Sequence, residues 1–90
     1  MMTEEKAKAL GYTPIARWVD GTDAGVDPKY MGIGPAYSNM RILQRRGMKP
    51  SDVAVYECNE AFAAQNLGVI RQMEMMSGET IDMATWNPNG

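Results

Sequence analysis

Asn59 stands where the apolar run Val53-Ala54-Val55-Tyr56-Glu57-Cys58 gives way to the helix-forming run Glu60-Ala61-Phe62-Ala63-Ala64-Gln65. Read as a strand followed by a helix, that junction lies where open α/β sheets gather ligands, at the carboxyl ends of strands. A carboxamide placed there can donate to a developing oxyanion, directly or through a water. Asn is also a leading helix N-cap, with its side-chain oxygen accepting from a first-turn amide. The NH2 group and the carbonyl can divide these roles, so spacing alone leaves both readings open. Cys58, beside it, would need a thiol acidity raised by a helix N-terminus or a neighbouring base to act as a nucleophile. Glu57 and Glu60 flank it and the chain contains no histidine, so a buried structural thiol is the expected role. The absence of histidine also removes histidine bases, histidine ligands and any complete Cys-His or Ser-His pair from these residues.

The remaining candidates are weaker. Asp20, Asp23 and Asp27 invite a calcium reading, but Thr22 and Ala24 occupy positions where a calcium loop needs oxygen ligands, and Pro28 follows Asp27. A solvated loop is the expectation, and no metal site is predicted. Gly32-Ile33-Gly34-Pro35 could expose amides to a phosphate. No Lys-Ser or Lys-Thr follows and no third glycine has dinucleotide spacing, so a tight entry into a helix fits better. Met31 and Phe62 flank the same loops and can line a pocket, or pack in a core. Glu60 suits the positive end of a helix without any catalytic role.

These residues are carried by elements that punctuation makes visible. Thr3 can cap a helix through Leu10, with Glu4 and Glu5 in its first turn and Gly11 after it. Ile15-Ala16-Arg17-Trp18-Val19 reads as a strand. Asp20 to Gly34 is a loop with four glycines and three aspartates. Pro35 opens a second helix that buries Ala36, Met40 and Leu43 and ends at Gly47. Pro50-Ser51-Asp52 is a turn, and residues 53–58 form a second strand. Asn59 begins a third helix that runs to about Met76, with Ala63, Leu67, Ile70 and Met73 or Glu74 inward and Ser77-Gly78 as its stop. Residues 81–86 are a third strand and Asn87-Pro88-Asn89-Gly90 is a turn. The alternation predicts an α/β fold with helix crossovers.

Ninety residues make at most one small domain, and 44% hydrophobic content is that of a globular chain. The net charge of -2, with nine scattered Lys and Arg, gives no nucleic-acid footprint. No stretch approaches a membrane span. The start of the chain is acidic, unlike a signal peptide, and one cysteine fits a reducing compartment, so a soluble cytoplasmic protein is expected. The nine methionines, with Met73, Met75 and Met76 together, suit flexible core filling.

The run Asn59-Glu60-Ala61-Phe62-Ala63 is similar to the Asn-Glu-Ala-Phe-Ala signature of thiolases. It has company in the family's order. Leu10-Gly11 with Pro14-Ile15-Ala16-Arg17, then Ala24-Gly25-Val26-Asp27-Pro28, then Met31-Gly32-Ile33-Gly34-Pro35, and finally Asn87-Pro88-Asn89-Gly90 resemble successive thiolase blocks. The last resembles the opening of an Asn-x-Asn-Gly-Gly turn. The resemblance implies a segment of the three-layer α-β-α thiolase fold. Residues 1–20 would end the N-terminal domain and residues 21–90 would begin the C-terminal domain. The segment would lack the nucleophilic cysteine, the catalytic histidine and the second cysteine, and Met2 would correspond to an internal methionine.

For function, the resemblance implies acyl transfer between CoA thioesters, by thiolysis of 3-ketoacyl-CoA or condensation of two acyl-CoA molecules. The family's nucleophilic cysteine is acylated, its histidine activates that cysteine, and its second cysteine serves as acid and base. Asn59 matches the asparagine that holds an oxyanion-hole water. Met31 and Phe62 match residues at the acyl and pantetheine end of the pocket. Cys58 stands where the family usually has an apolar or small residue. CoA and acyl-CoA are the implied partners, as substrates, with no permanently bound cofactor, no nucleic acid and no membrane. The parent enzyme would be a homo-oligomer, dimer or tetramer. The chain alone is expected to be inactive and either poorly stable or prone to associate, because a cut α/β sheet exposes strand edges and apolar helix faces. The alternative is a truncated, non-catalytic acyl-CoA-binding or remnant protein.

Overall fold

The structure, a computed structural model, describes residues 1–90. It opens with helix α1, Glu4–Ala9, whose N-cap Thr3 accepts a hydrogen bond from the Lys6 amide at 3.3 Å. Gly11 follows in the left-handed region, at φ 74°. The chain then runs as an extended arm to Asp27. Within it, the stretch 15–19 is exposed and pairs with no strand, so the first expected strand does not form; its one tie is the Val19 carbonyl, which accepts from Arg46. Alternating side chains favour an extended backbone, but a strand also needs a neighbour to take its amides and carbonyls.

The arm is tied down at its far end. Asp20 binds Arg45 at 2.6 Å and Arg46 at 3.0 Å, and Arg41 donates to the Asp23 carbonyl at 2.8 Å. Burial pushes the Asp20 carboxyl up, but hydrogen bonds from Arg45 and the Gly21 amide, with the charges of Arg45 and Arg46, outweigh it and hold the group below its usual 3.8. Asp27 caps a 3-10 helix, Pro28–Ile33, by accepting from the Lys29 amide at 2.9 Å. That short helix replaces the second half of the expected loop. Two of the three aspartates are thus occupied in joining protein to protein. No group of three acidic, cysteine or histidine residues is arranged to hold a metal ion.

Helix α2 is Gly34–Arg46, with Pro35 in its first turn and Arg45 and Arg46 at its last. Gly47 ends it at φ 64°, and its amide donates to the carbonyls of Gln44 and Leu43. A Cβ at Gly47 would meet nothing within 4 Å, so a substitution there meets backbone strain alone. Gly47→Ala is expected to lower unfolding free energy by about 1–2 kcal/mol, moving the urea midpoint with no change in slope. Gly25→Ala, also in open space, serves as the control.

Helix α3 is Ala63–Ser77, ended by Gly78 at φ 74°. It starts four residues later than the expected Asn59, since the chain from Asn59 to Phe62 is not helical. Its buried face also differs. Asn66, Val69, Ile70 and Met73 point inward, whereas Ala63 and Leu67 are exposed. The expected stripe held Ile70 and Met73 but began one residue out of phase. The cause is Asn66, a polar residue that is buried because both ends of its carboxamide find partners.

The core joins Ala36, Met40 and Leu43 of α2 to Val69, Ile70 and Met73 of α3, closed by Tyr56, Ile81 and Trp86. Only 12 of 90 residues are buried, which makes the core small for the chain it must hold. The segments expected as second and third strands meet at one isolated parallel bridge, Tyr56 with Trp86. The Tyr56 amide donates to the Thr85 carbonyl and the Asn87 amide to the Tyr56 carbonyl, both at 2.8 Å. The ladder stops there because Met83–Thr85 winds into a 3-10 turn. Asp82 accepts from the Ala84 amide at 2.9 Å, and the Thr85 hydroxyl donates to the Asp82 carbonyl at 2.7 Å. Local side-chain bonds here outcompete pairing. No helix is long and apolar enough to cross a membrane.

Candidate active-site segment

The stretch from Glu57 to Phe62 links the bridge at Tyr56 to α3. An open cleft of about 380 Å3 lies along it, lined by Glu57, Cys58, Asn59, Glu60, Asn87 and Gly90. Asn59 is exposed in this cleft, and its side chain does not cap α3. The N-cap is Phe62, with no side-chain cap bond. The competing structural use of Asn59 is therefore not realised. Its carbonyl is engaged instead, accepting from Asn66 Nδ2 at 3.1 Å.

Asn87 occupies the opposite wall. Its side chain substitutes for a strand neighbour of Cys58: Oδ1 accepts from the Cys58 amide at 2.7 Å, and Nδ2 donates to the Cys58 carbonyl at 2.8 Å. Nδ2 also donates to Glu60 Oε1 at 2.6 Å. Asn87 has φ 46°, a left-handed conformation that Asn tolerates better than most residues. The polar lining suits a bound water, since a water needs several hydrogen-bonding partners.

Cys58 is half-buried and free. Burial, and then the Glu60 carboxylate, push its thiol pKa up from the ordinary value near 9.0. It is thus a protonated thiol at neutral pH, and a poor nucleophile.

Met31 lies in the 3-10 helix Pro28–Ile33 and is 77% exposed; Phe62 is 74% exposed. Neither lines the Asn59 cleft. Their segments do approach one another through Gly32, where a Cβ would stand 3.1 Å from Gln65 Cγ in the first turn of α3. The glycine permits this close passage. The Gly32-Ile33-Gly34-Pro35 stretch is therefore a packing contact and a helix entry.

Sequence reasoning missed Asn66, Trp86 and the clasp made by Asn87. Asn66 could have been found from its spacing, since it falls on the face of Val69, Ile70 and Met73. Its pairing with Trp86 spans 20 residues and left no local signal.

Residues 12–90 match the family described as "Thiolase, C-terminal domain", and the chain belongs to the thiolase family. It is 47% identical over 88 residues to the 3-oxoadipyl-CoA/3-oxo-5,6-dehydrosuberyl-CoA thiolase of Escherichia coli K12, covering 98% of this chain and 21% of that protein. The chain thus spans about a fifth of the length of the curated relatives it matches. It superposes on the acetyl-CoA acetyltransferase of Syntrophomonas wolfei with a TM-score of 0.89 at 42% identity, covering 99% of this chain and 22% of that one. The peroxisomal 3-ketoacyl-CoA thiolase of Saccharomyces cerevisiae gives a TM-score of 0.83 at 36% identity, covering 94% and 23%. That enzyme is described as a five-layered α-β-α-β-α structure built from two core domains of identical topology. These neighbours have a layered α/β fold; this chain carries its helices with a single bridge in place of strands.

Proposed function

We propose that this chain is a segment of a thiolase that transfers acyl groups between CoA thioesters, and that it contributes Asn59 to the oxyanion hole. The observation that carries the reading is the state of Asn59. It belongs to the family signature, lines a polar cleft, and keeps its carboxamide out of any helix cap while its backbone carbonyl is held. In this role the NH2 group donates to a water, and the water donates to the thioester oxygen as negative charge develops there. Donors fixed beforehand stabilise that charge without reorganising during reaction. Met31 and Phe62 border the acyl and pantetheine end of the substrate, and their exposed apolar surfaces suit that use.

The division of residues 1–20 from 21–90 between two domains belongs to the same proposal. It is supported by a core drawn entirely from residues 36–86. Homo-oligomeric assembly in the cytoplasm belongs to it as well; the exposed apolar side chains of Trp18 and Leu67 support the assembly, since such surface is covered by a partner or by the rest of the enzyme.

With one cysteine and no histidine, residues 1–90 lack the two cysteines and the histidine on which thiolase chemistry depends, and alone they are expected to give no thiolysis. The test is a chimera in which residues 1–90 replace the matching stretch of the E. coli 3-oxoadipyl-CoA/3-oxo-5,6-dehydrosuberyl-CoA thiolase. Thiolysis of 3-oxoadipyl-CoA by CoA in the chimera, and its collapse in the Asn59→Ala chimera, are the expected results. A folded Asn59→Ala chimera as active as the unsubstituted one overturns the role of Asn59. Thiolysis by residues 1–90 alone overturns the mechanism.

A further inference from the structure

Two residues outside the cleft are linked in series to the backbone of Asn59. Asn66, in α3, is 5% exposed, and both ends of its carboxamide are used. Nδ2 donates to the Asn59 carbonyl at 3.1 Å, and Oδ1 accepts from Trp86 Nε1 at 2.8 Å. Trp86 is itself buried, and its ring stacks on Tyr56 with centroids 5.1 Å apart. The next residue is Asn87, whose side chain exchanges two hydrogen bonds with the backbone of Cys58. The result is a closed circuit. It runs from Asn59 through Asn66 and Trp86 to Asn87, and back along the chain through Cys58.

A buried carboxamide at position 66 costs desolvation that an apolar residue on the same face of α3 would avoid. Its use is therefore in geometry. A satisfied polar network specifies one arrangement where apolar contacts allow several. The need for it is local, because the stretch 59–62 enters α3 without a side-chain cap. A neighbouring strand does not fix that stretch either, since the only bridge is at Tyr56.

The geometry points to Asn66 and Trp86 as positioning residues that hold the backbone at Cys58 and Asn59, so that the Asn59 carboxamide stays aimed along the cleft. This rests on the role proposed above for Asn59. Neither residue touches substrate; both act through Asn59.

The test is NMR on the 90-residue chain. In the unsubstituted protein, the Trp86 indole proton should exchange at least about tenfold more slowly than that of exposed Trp18, an internal reference in the same molecule. Trp86→Phe keeps an aromatic ring against Tyr56 and removes the indole donor; Asn66→Ala removes both links. The Asn59 carbonyl carbon is expected to move upfield in Asn66→Ala as its hydrogen bond is lost, with the Glu60 amide shifting in both variants. Exchange at Val69 and Met73, deep in α3, should stay slow. A merely structural role would instead raise exchange throughout α3 and spread the shifts across the core. Unmoved Asn59 and Glu60 resonances in both variants overturn the inference. Should Asn66→Ala unfold the chain, Trp86→Phe and the indole exchange decide it: fast exchange at Trp86, equal to that at Trp18, also overturns it. These spectra read the hydrogen bond and backbone at Asn59 and not activity, so the two readings fail separately. Unmoved resonances beside an inactive Asn59→Ala chimera overturn the positioning alone. Moved resonances beside a fully active Asn59→Ala chimera overturn the catalytic role of Asn59 and leave its placement standing.

Discussion

Asn59→Ala in the chimeric thiolase is expected to lower kcat for thiolysis by roughly 10²–10³, the effect of removing one oxyanion-hole donor. The lower end applies if Asn59 acts through a water that another donor can partly retain. KM should change little, because the interaction is made with charge that exists only in the transition state. The fold should tolerate the change. Asn59 is exposed, it does not cap α3, and the carbonyl that Asn66 holds is backbone and survives the substitution. An unchanged melting temperature beside a collapsed kcat separates this outcome from misfolding. A raised KM with an unchanged kcat would mean that Asn59 binds substrate and transition state alike.

The second large effect falls on stability. Trp86→Ala is expected to unfold the 90-residue chain at room temperature. Trp86 fills the end of the core, stacks on Tyr56 and donates to buried Asn66. Truncating a buried aromatic to Ala costs roughly 3–5 kcal/mol. Leaving the Asn66 oxygen buried without its donor adds about 1–3 kcal/mol. A domain of this length has a total stability of roughly 4–13 kcal/mol, and a core of nine buried residues puts it at the low end. Circular dichroism should show the helical signal lost in Trp86→Ala and kept in Trp18→Ala, since Trp18 is exposed. A folded Trp86→Ala chain would mean that α2 and α3 hold together without the bridge region.

The helices were legible wherever a single residue decides a local conformation. Thr3 caps α1, Pro35 opens α2 within one residue of its start, and Gly47 and Gly78 end α2 and α3 in the left-handed region. Ala36, Met40 and Leu43 are buried as their spacing implies, because α2 is amphipathic in the ordinary way. The inner face of α3 was legible only in part: the spacing puts Asn66 on it, but the burial of that carboxamide rests on a tryptophan 20 residues away. The strands failed for a related reason. The alternation at 15–19 and the apolar run at 53–58 report a preference for extended backbone, while pairing requires a partner. Residues 81–86 had one available, but the Asp82 and Thr85 side chains closed a turn first.

At the site, sequence reasoning pointed to Asn59 and expected an unreactive, buried Cys58; the structure places Asn59 exposed in a polar cleft and Cys58 half-buried. The Asn87 clasp was hidden because it is a side chain acting as a strand. The thiolase signature itself was fully legible, since it is a contiguous run with its companions in order. Membership of the family rests on that pattern and on the match across residues 12–90.

A crystal structure of the chimera with its nucleophilic cysteine acylated decides the role of Asn59. The Asn59 NH2 group is expected within about 3 Å of an ordered water that also contacts the thioester oxygen. Asn66 is expected still to donate to the Asn59 carbonyl. An Asn59 side chain turned away from the acyl group, with the thioester oxygen held by other donors and no water shared with Asn59, would contradict that role.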